Sequence, residues 1–252
     1  MQNSKIAICL VTNELYPLGP GGIGRMLYNF AKHNEDMGFP ADLHFLVPQS
    51  LIDSKPDAWA LLQSAFDDIA TIHVCPKLLS CPTPAAQLLA KAEEYPWTNE
   101  WLFGDSYRYY MGLRAAERKR GAPFDIIEFP DFGGWGVASI EAKRAGLDFS
   151  NALISARIHS TQNLLYGVER FAHDPGHWAG IMFDAERHLL ANADLIVGHG
   201  ADVDDLRREG RGLRVRARQE MGSEEARSES GERGGCDEEG MAAHVLFSFA
   251  GM

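Results

Sequence analysis

The sequence predicts an α/β protein: a Rossmann-like doubly wound parallel sheet with helices on both faces, followed by a disordered tail. Three features carry that expectation. Short, near-continuous apolar runs recur along the chain, as in parallel strands buried on both sides. Stretches with apolar residues at helical spacing separate them, and each parallel connection needs such a crossover. A glycine-rich turn joins the first strand to the first helix.

Residues 5–12 form the first apolar run, and residues 13–22 the turn, with Pro17, Gly19, Pro20, Gly21 and Gly22. Ile23, Met26, Leu27, Phe30 and Ala31 then recur on one helical face, and Gly38 is placed to end that helix. Leu43, Phe45 and Val47 make a second strand that stops at Pro48. Further along, the pattern predicts a helix over 57–67, a strand over 70–74, and helical stretches over 85–95 and 99–119. A fourth strand over 125–129 precedes a helix that includes 139–145, and a fifth over 152–158 ends at His159. A long helix ending near Asn192, a sixth strand over 195–197 and a last helix from about Ala201 complete the alternation. Ligands of such sheets bind beyond the carboxyl ends of the strands.

Composition narrows the classes of function. The chain has 252 residues, 45% of them hydrophobic and 23% charged, which suits a globular domain with a substantial core. A formal net charge of -11 disfavours nucleic acid and anionic lipid, both of which need a concentrated positive face. No apolar run approaches the roughly 20 residues that span a bilayer, and Asn13-Glu14 stands where a secretory cleavage site would lie. A cytoplasmic protein is therefore expected, without a transmembrane segment and with peripheral membrane contact still open. The four cysteines have no metal-binding spacing, so reduced structural thiols are expected at Cys9, Cys75 and Cys81.

Composition changes near Arg207. Residues 207–239 contain no aromatic residue and no lysine, and can bury too little to offset the entropy of ordering. The expected division is a Rossmann-like domain over 1–206 and a disordered or aberrant tail over 207–252. The onset in mid-helix is compatible with a shifted reading frame or with a natural charged tail; translating the neighbouring frame tells them apart.

Several residues are candidates for chemistry, each with a structural reading beside it. Gly19-Pro20-Gly21-Gly22-Ile23-Gly24 satisfies G-x-G-x-x-G and would let backbone amides approach phosphate oxygens, or it is simply a turn. A dinucleotide fingerprint starts directly after its strand, whereas 13–18 intervene here, and no acid closes the second strand at Val47-Pro48-Gln49. Glu128 and Asp131 stand at a strand end and its loop, where carboxylates bind hydroxyls or take a proton; both also suit solvated loop charges. Arg157 would hold an anionic group, or pair with Glu128. His159 would orient hydroxyls without a change of charge, or be a satisfied buried histidine. The aromatic group of Trp97, Trp101, Tyr107, Tyr109 and Tyr110 fits sugar faces but more often packs a helix. His173-Asp174-Pro175-Gly176-His177 reads as a turn, and no metal is expected.

Taken in order, some of these segments resemble a known family. Asn13-Glu14 through Pro17 to Gly21-Gly22-Ile23-Gly24-Arg25, with the helix to Gly38-Phe39, is similar to the N-terminal, acceptor-side domain of family 4 glycosyltransferases of GT-B architecture. Phe124-Asp125-Ile126-Ile127-Glu128 with Pro130-Asp131-Phe132-Gly133-Gly134, then Ile158-His159-Ser160, then Glu186 ahead of Ala193-Asp194-Leu195-Ile196-Val197, continue the likeness. The resemblance implies transfer of a sugar from a nucleotide-sugar donor, a co-substrate rather than a bound cofactor, to a glycan or lipid-linked acceptor. It implies that Gly21, Gly22 and Gly24 lie near the donor diphosphate and the acceptor, and that His159 faces the donor sugar. Asp131 joins His159 as a catalytic candidate, and Glu128 and Arg157 join the glycines as binding candidates. Glu186 is expected to be structural, and no role is carried onto His199, where relatives often have serine. The donor-binding half of the family has no counterpart in the tail, so the chain alone is expected not to transfer sugar, and an exposed apolar face is expected where that half would pack. A nucleotide- or NAD-binding oxidoreductase domain and a non-catalytic binding module are the alternatives.

Overall fold

A computed structural model describes residues 5–19, 21–36, 40–75, 101–161, 165 and 176–198. Six strands form one sheet: β1 (Ala7–Val11), β2 (Asp42–Pro48), β3 (Thr71–Cys75), β4 (Ile126–Pro130), β5 (Leu153–Arg157) and β6 (Leu195–Val197). Their order is β3-β2-β1-β4-β5-β6, and every neighbouring pair is parallel. This is the doubly wound arrangement the alternation predicts. The chain winds outward from β1 to β3, then returns to β4 on the other side of β1, and that reversal opens a crevice at the carboxyl ends of β1 and β4.

Alternation along the strands divides the core into two layers. Cys9 and Val11 of β1, with Leu46, Ile127, Phe129, Ile154 and Ala156, point to one side. There they meet Tyr109 and Leu113 of α4 (Trp101–Arg120), Ile140 of α5 (Val137–Arg144) and Leu189 of α6 (Gly176–Asn192). Leu10, Leu43, Phe45 and Val47 point to the other side, against Leu27 and Ala31 of α1 (Gly22–Lys32) and Leu62 and Phe66 of α3 (Ala58–Phe66). Helices on both faces follow from this period of two. Two short elements lie outside the sequence pattern: a 3-10 turn over Asn34–Asp36, and α2 (Gln49–Ile52), which begins at Pro48 where that residue ends the strand. The expected helices over 85–95 and from 201, the Gly38 cap and the tail from 207 lie outside the described residues.

The amino ends of the strands carry their own buried polar group. His44 Nδ1 and His73 Nε2 are 3.0 Å apart, and the rings stack beneath the edge of Phe124. Asp42 Oδ2 lies 3.1 Å from His44 Nε2, at an angle short of a hydrogen bond, and accepts from Arg120 Nη2 at 3.2 Å. Burial and then the positive fields of His44 and Lys119 push His73 down to about 4. Among the described residues, the turns after β1, β4 and β5 carry no large exposed apolar side chain. Among the described residues the large exposed apolar side chains are Ile6, Leu147 and Leu153, at the opposite end, and Trp59 and Leu61 on α3. No described helix is long and apolar enough to cross a membrane.

Candidate functional site

Because every strand runs the same way, the turns after β1, β4 and β5 lie side by side at one end of the sheet. Gly21, Gly22 and Gly24 follow β1, Asp131 follows β4 and His159 follows β5, so the sequence-predicted residues share one rim.

The three glycines do different things there. Helix α1 starts at Gly22 with Gly21 as its cap residue, and no side chain caps it. The first four amides of a helix, counted from its cap residue, have no partner within it, so those of Gly21, Gly22, Ile23 and Gly24 are the donors this terminus offers. A side chain at Gly22 would meet nothing within 4 Å. At Gly24 it would meet the backbone of Glu14 and Leu15 at 3.0–3.1 Å, so this glycine lets α1 close onto the turn. The Gly21 position is covered by the carboxylate of Glu14, whose own backbone is clasped by Thr12 Oγ1. The sequence reading missed Glu14; an acid ahead of an uncapped helix start was the available signal.

The turns after β4 and β5 are closed. Glu128, on the α1 face of β4, lies opposite Ser155 of β5 in register. Its carboxylate takes a bidentate pair of bonds from Arg157, Nε to Oε1 at 2.6 Å and Nη2 to Oε2 at 3.0 Å. The two side chains are only 9% and 16% exposed, so each is chiefly the partner of the other. Asp131 has no exposed surface, so its contacts are with the protein itself. Its Oδ1 accepts the His159 backbone N–H at 3.0 Å, and its Oδ2 has no hydrogen-bond partner. Burial pushes the carboxyl up to about 6, against the N–H groups of His159, Ser160, Phe132 and Asp131 itself, which favour the charged form. Of these only His159 reaches hydrogen-bond geometry; the others act from a poorer angle or distance.

Helix α6 locks the β4 turn from behind. Glu186 is 1% exposed, and its Oε1 accepts the Gly133 N–H at 2.9 Å. Gly133 and Gly134 have φ of +73° and +61°, and a side chain at Gly134 would stand 2.4 Å from the Cβ of Ala185. Glu186 is thus structural, as expected.

The remaining candidates fall away from the rim. Tyr109 packs on Trp135 and Tyr110 on Phe149, so this part of the aromatic group fills the core. Trp97, the 173–175 part of the His-Asp-Pro-Gly-His turn and His199 lie outside the described residues. Cys9 and Cys75 are free and buried, and burial raises both thiols, Cys75 to about 12, which makes them inert. Among the described residues no three His, Cys, Asp or Glu side chains gather as a metal site would require. No protein-family model matches the chain, and no curated protein matches it.

Proposed function

We propose that residues 1–206 are the acceptor-side domain of a glycosyltransferase of GT-B architecture, which in a complete enzyme transfers a sugar from a nucleotide-sugar donor to a glycan or lipid-linked acceptor. The observation that carries this reading is the side-by-side placement of an uncapped helix start, open at Gly22, and the His159 turn, one strand beyond the switch point. Helix-start amides suit a diphosphate, or the charge that develops on it as it leaves. An imidazole two strands away suits hydroxyls of a sugar bound between them. Glu128 and Arg157 then act as the frame under the site, holding β4 to β5 below the two turns.

A second reading, a nucleotide- or NAD-binding oxidoreductase domain, draws on the strand order and on the literal glycine pattern. The absence of an acid after β2, where Pro48 passes into α2, weighs against it. Calorimetric titration of the full chain separates the readings. Uridine and guanosine diphosphate sugars, oligosaccharide acceptors and NAD are added in separate runs. Acceptor binding that weakens at least tenfold in His159→Ala, with thermal stability unchanged, is the expected result. Tight NAD binding would favour the second reading, and binding of none of the probes would leave a non-catalytic module that meets a protein partner.

A further inference from the structure

The loop after β4 begins with a carboxyl group that touches no solvent yet bonds to the backbone of another turn. Asp131 N–H donates to the Arg157 carbonyl at 2.9 Å, extending the β4–β5 ladder by one bond, and Asp131 Oδ1 takes back the His159 N–H. Asp131 is therefore tied to the end of β5 twice, through its backbone to Arg157 and through its side chain to His159. We propose that Asp131 is a positioning residue, a carboxylate pin that fixes the His159–Ser160 turn and so sets where the His159 imidazole stands at the rim.

The purpose assigned to the imidazole rests on the glycosyltransferase reading; the pin itself does not. Three observations support it. The group is fully buried, so its partners are the protein's own. Its hydrogen-bond partner is the backbone amide of a separate turn, which a carboxylate binds more strongly than a neutral acid does. One oxygen is left without a partner, so the site has room for a proton without displacing a bond.

The titratable and charged groups around the pin are otherwise engaged. Glu128 of β4 and Arg157 of β5 grip each other, and Glu186 of α6 holds the Gly133 amide. His159 stands on the pinned turn itself. With the carboxyl at about 6, the pin is charged and tight above that pH and neutral and weaker below it.

Amide-resolved NMR of the full chain, titrated from neutral pH to about 5, tests this without any ligand. The His159 and Ser160 amide protons are expected to move upfield together along a one-proton curve whose midpoint is near 6. In Asp131→Asn, which keeps the shape and an accepting oxygen, the part of that curve that follows the Asp131 carboxyl should vanish. If Asn at this position impairs folding, the side-chain carboxyl carbon of Asp131, followed in the wild type, shows whether the two amides move with it. Amides of 159 and 160 that stay still while the Asp131 carboxyl titrates would overturn the pin, as would an unchanged curve in the variant. Loss of acceptor binding with an intact curve would instead defeat the glycosyltransferase reading and leave the pin standing.

Discussion

The two ends of this parallel sheet both bury ionisable side chains, yet they hold them in opposite ways. At the amino end His73 is kept neutral, at about 4, by burial beside His44 and Lys119. At the carboxyl end Asp131 is pushed up to about 6 by burial, although backbone amides surround it. The difference lies in what each cluster connects. Histidines 44 and 73 join β2 to β3 under the Phe124 ring, within the core. Asp131, Glu128 and Arg157 join β4 to β5 just below turns that stand at the crevice. The ionisable groups at the amino end lie within the packing, whereas those at the carboxyl end tie two strands together beneath the rim.

The largest effect expected from this contrast is at Glu128. Replacing it with Gln leaves the Arg157 guanidinium, 16% exposed, without its fork, and should cost about 3–5 kcal/mol. Urea denaturation gives the value directly. Breaking the ion pair at the amino end by Asp42→Asn should cost less than about 1 kcal/mol, because Asp42 is 43% exposed. Equal losses at the two ends would erase the distinction.

A pH series sharpens it further. The folded pKa of Asp131 lies above the usual 3.8, so its contribution is complete below the unfolded value and is lost as pH rises through about 6. His73 has the reverse sign: its folded pKa lies below 6.5, so its contribution is complete above that value and is lost as pH falls toward 4. Each is worth on the order of 3 kcal/mol at most, and in the window between 4 and 6 they oppose one another. Relative to wild type, Asp131→Asn should therefore lose stability as the solution is acidified, and His73→Gln should gain it. Taking differences from wild type removes Asp105 and Glu117, which burial raises, and Asp42, which burial raises but the neighbouring His44 and Arg120 lower on balance. Parallel curves for all three proteins would show that neither group is perturbed as described.

The loop behind Asp131 gives the next effect. Gly134→Ala forces a side chain into a left-handed backbone at φ +61° and against Ala185, costing about 1–3 kcal/mol from the backbone alone. Thermal denaturation should show a lowered midpoint, with the His159 and Ser160 amides disturbed as well, since Glu186 and Gly133 hold the β4 turn from which Asp131 reaches them. A variant as stable as wild type would mean the turn yields easily and that α6 does not fix it.

Much of this architecture is legible in the amino-acid sequence. The apolar runs 5–12 and 152–158 each contain an observed strand and 125–129 covers all but the last residue of β4, because a strand buried on both faces must be apolar at nearly every position. Polar interruptions at and just beyond those runs are the useful exceptions, and Glu128, Arg157 and His159 all come from them. Partnership is what the sequence hides. Glu128 and Arg157 are 29 positions apart, and only the register that sets Glu128 beside Ser155 brings the fork together. Asp131 reads as a solvated loop acid because its neighbours in sequence are those of a turn, while its cover comes from β5. Helix α2 escapes because four residues after a proline have no periodicity to detect.

The smallest change in stability is expected where the change in function should be greatest. Gly22 and Gly24 both lie in the first turn of α1, two residues apart, and alanine is the better helix former at either by up to about 1 kcal/mol. At Gly24 that gain is outweighed, because the new methyl would press on the Glu14–Leu15 backbone at 3.0–3.1 Å. At Gly22 it meets nothing, so Gly22→Ala should match or slightly exceed wild-type stability. The same methyl would occupy the open space beside the free amides, and a diphosphate or acceptor seated there should bind at least tenfold more weakly by calorimetry. Gly24→Ala should instead lower the melting temperature. A Gly22→Ala protein that is stable and binds every probe as wild type does would move the ligand away from this helix start, and with it the reason for reading the two turns as one site.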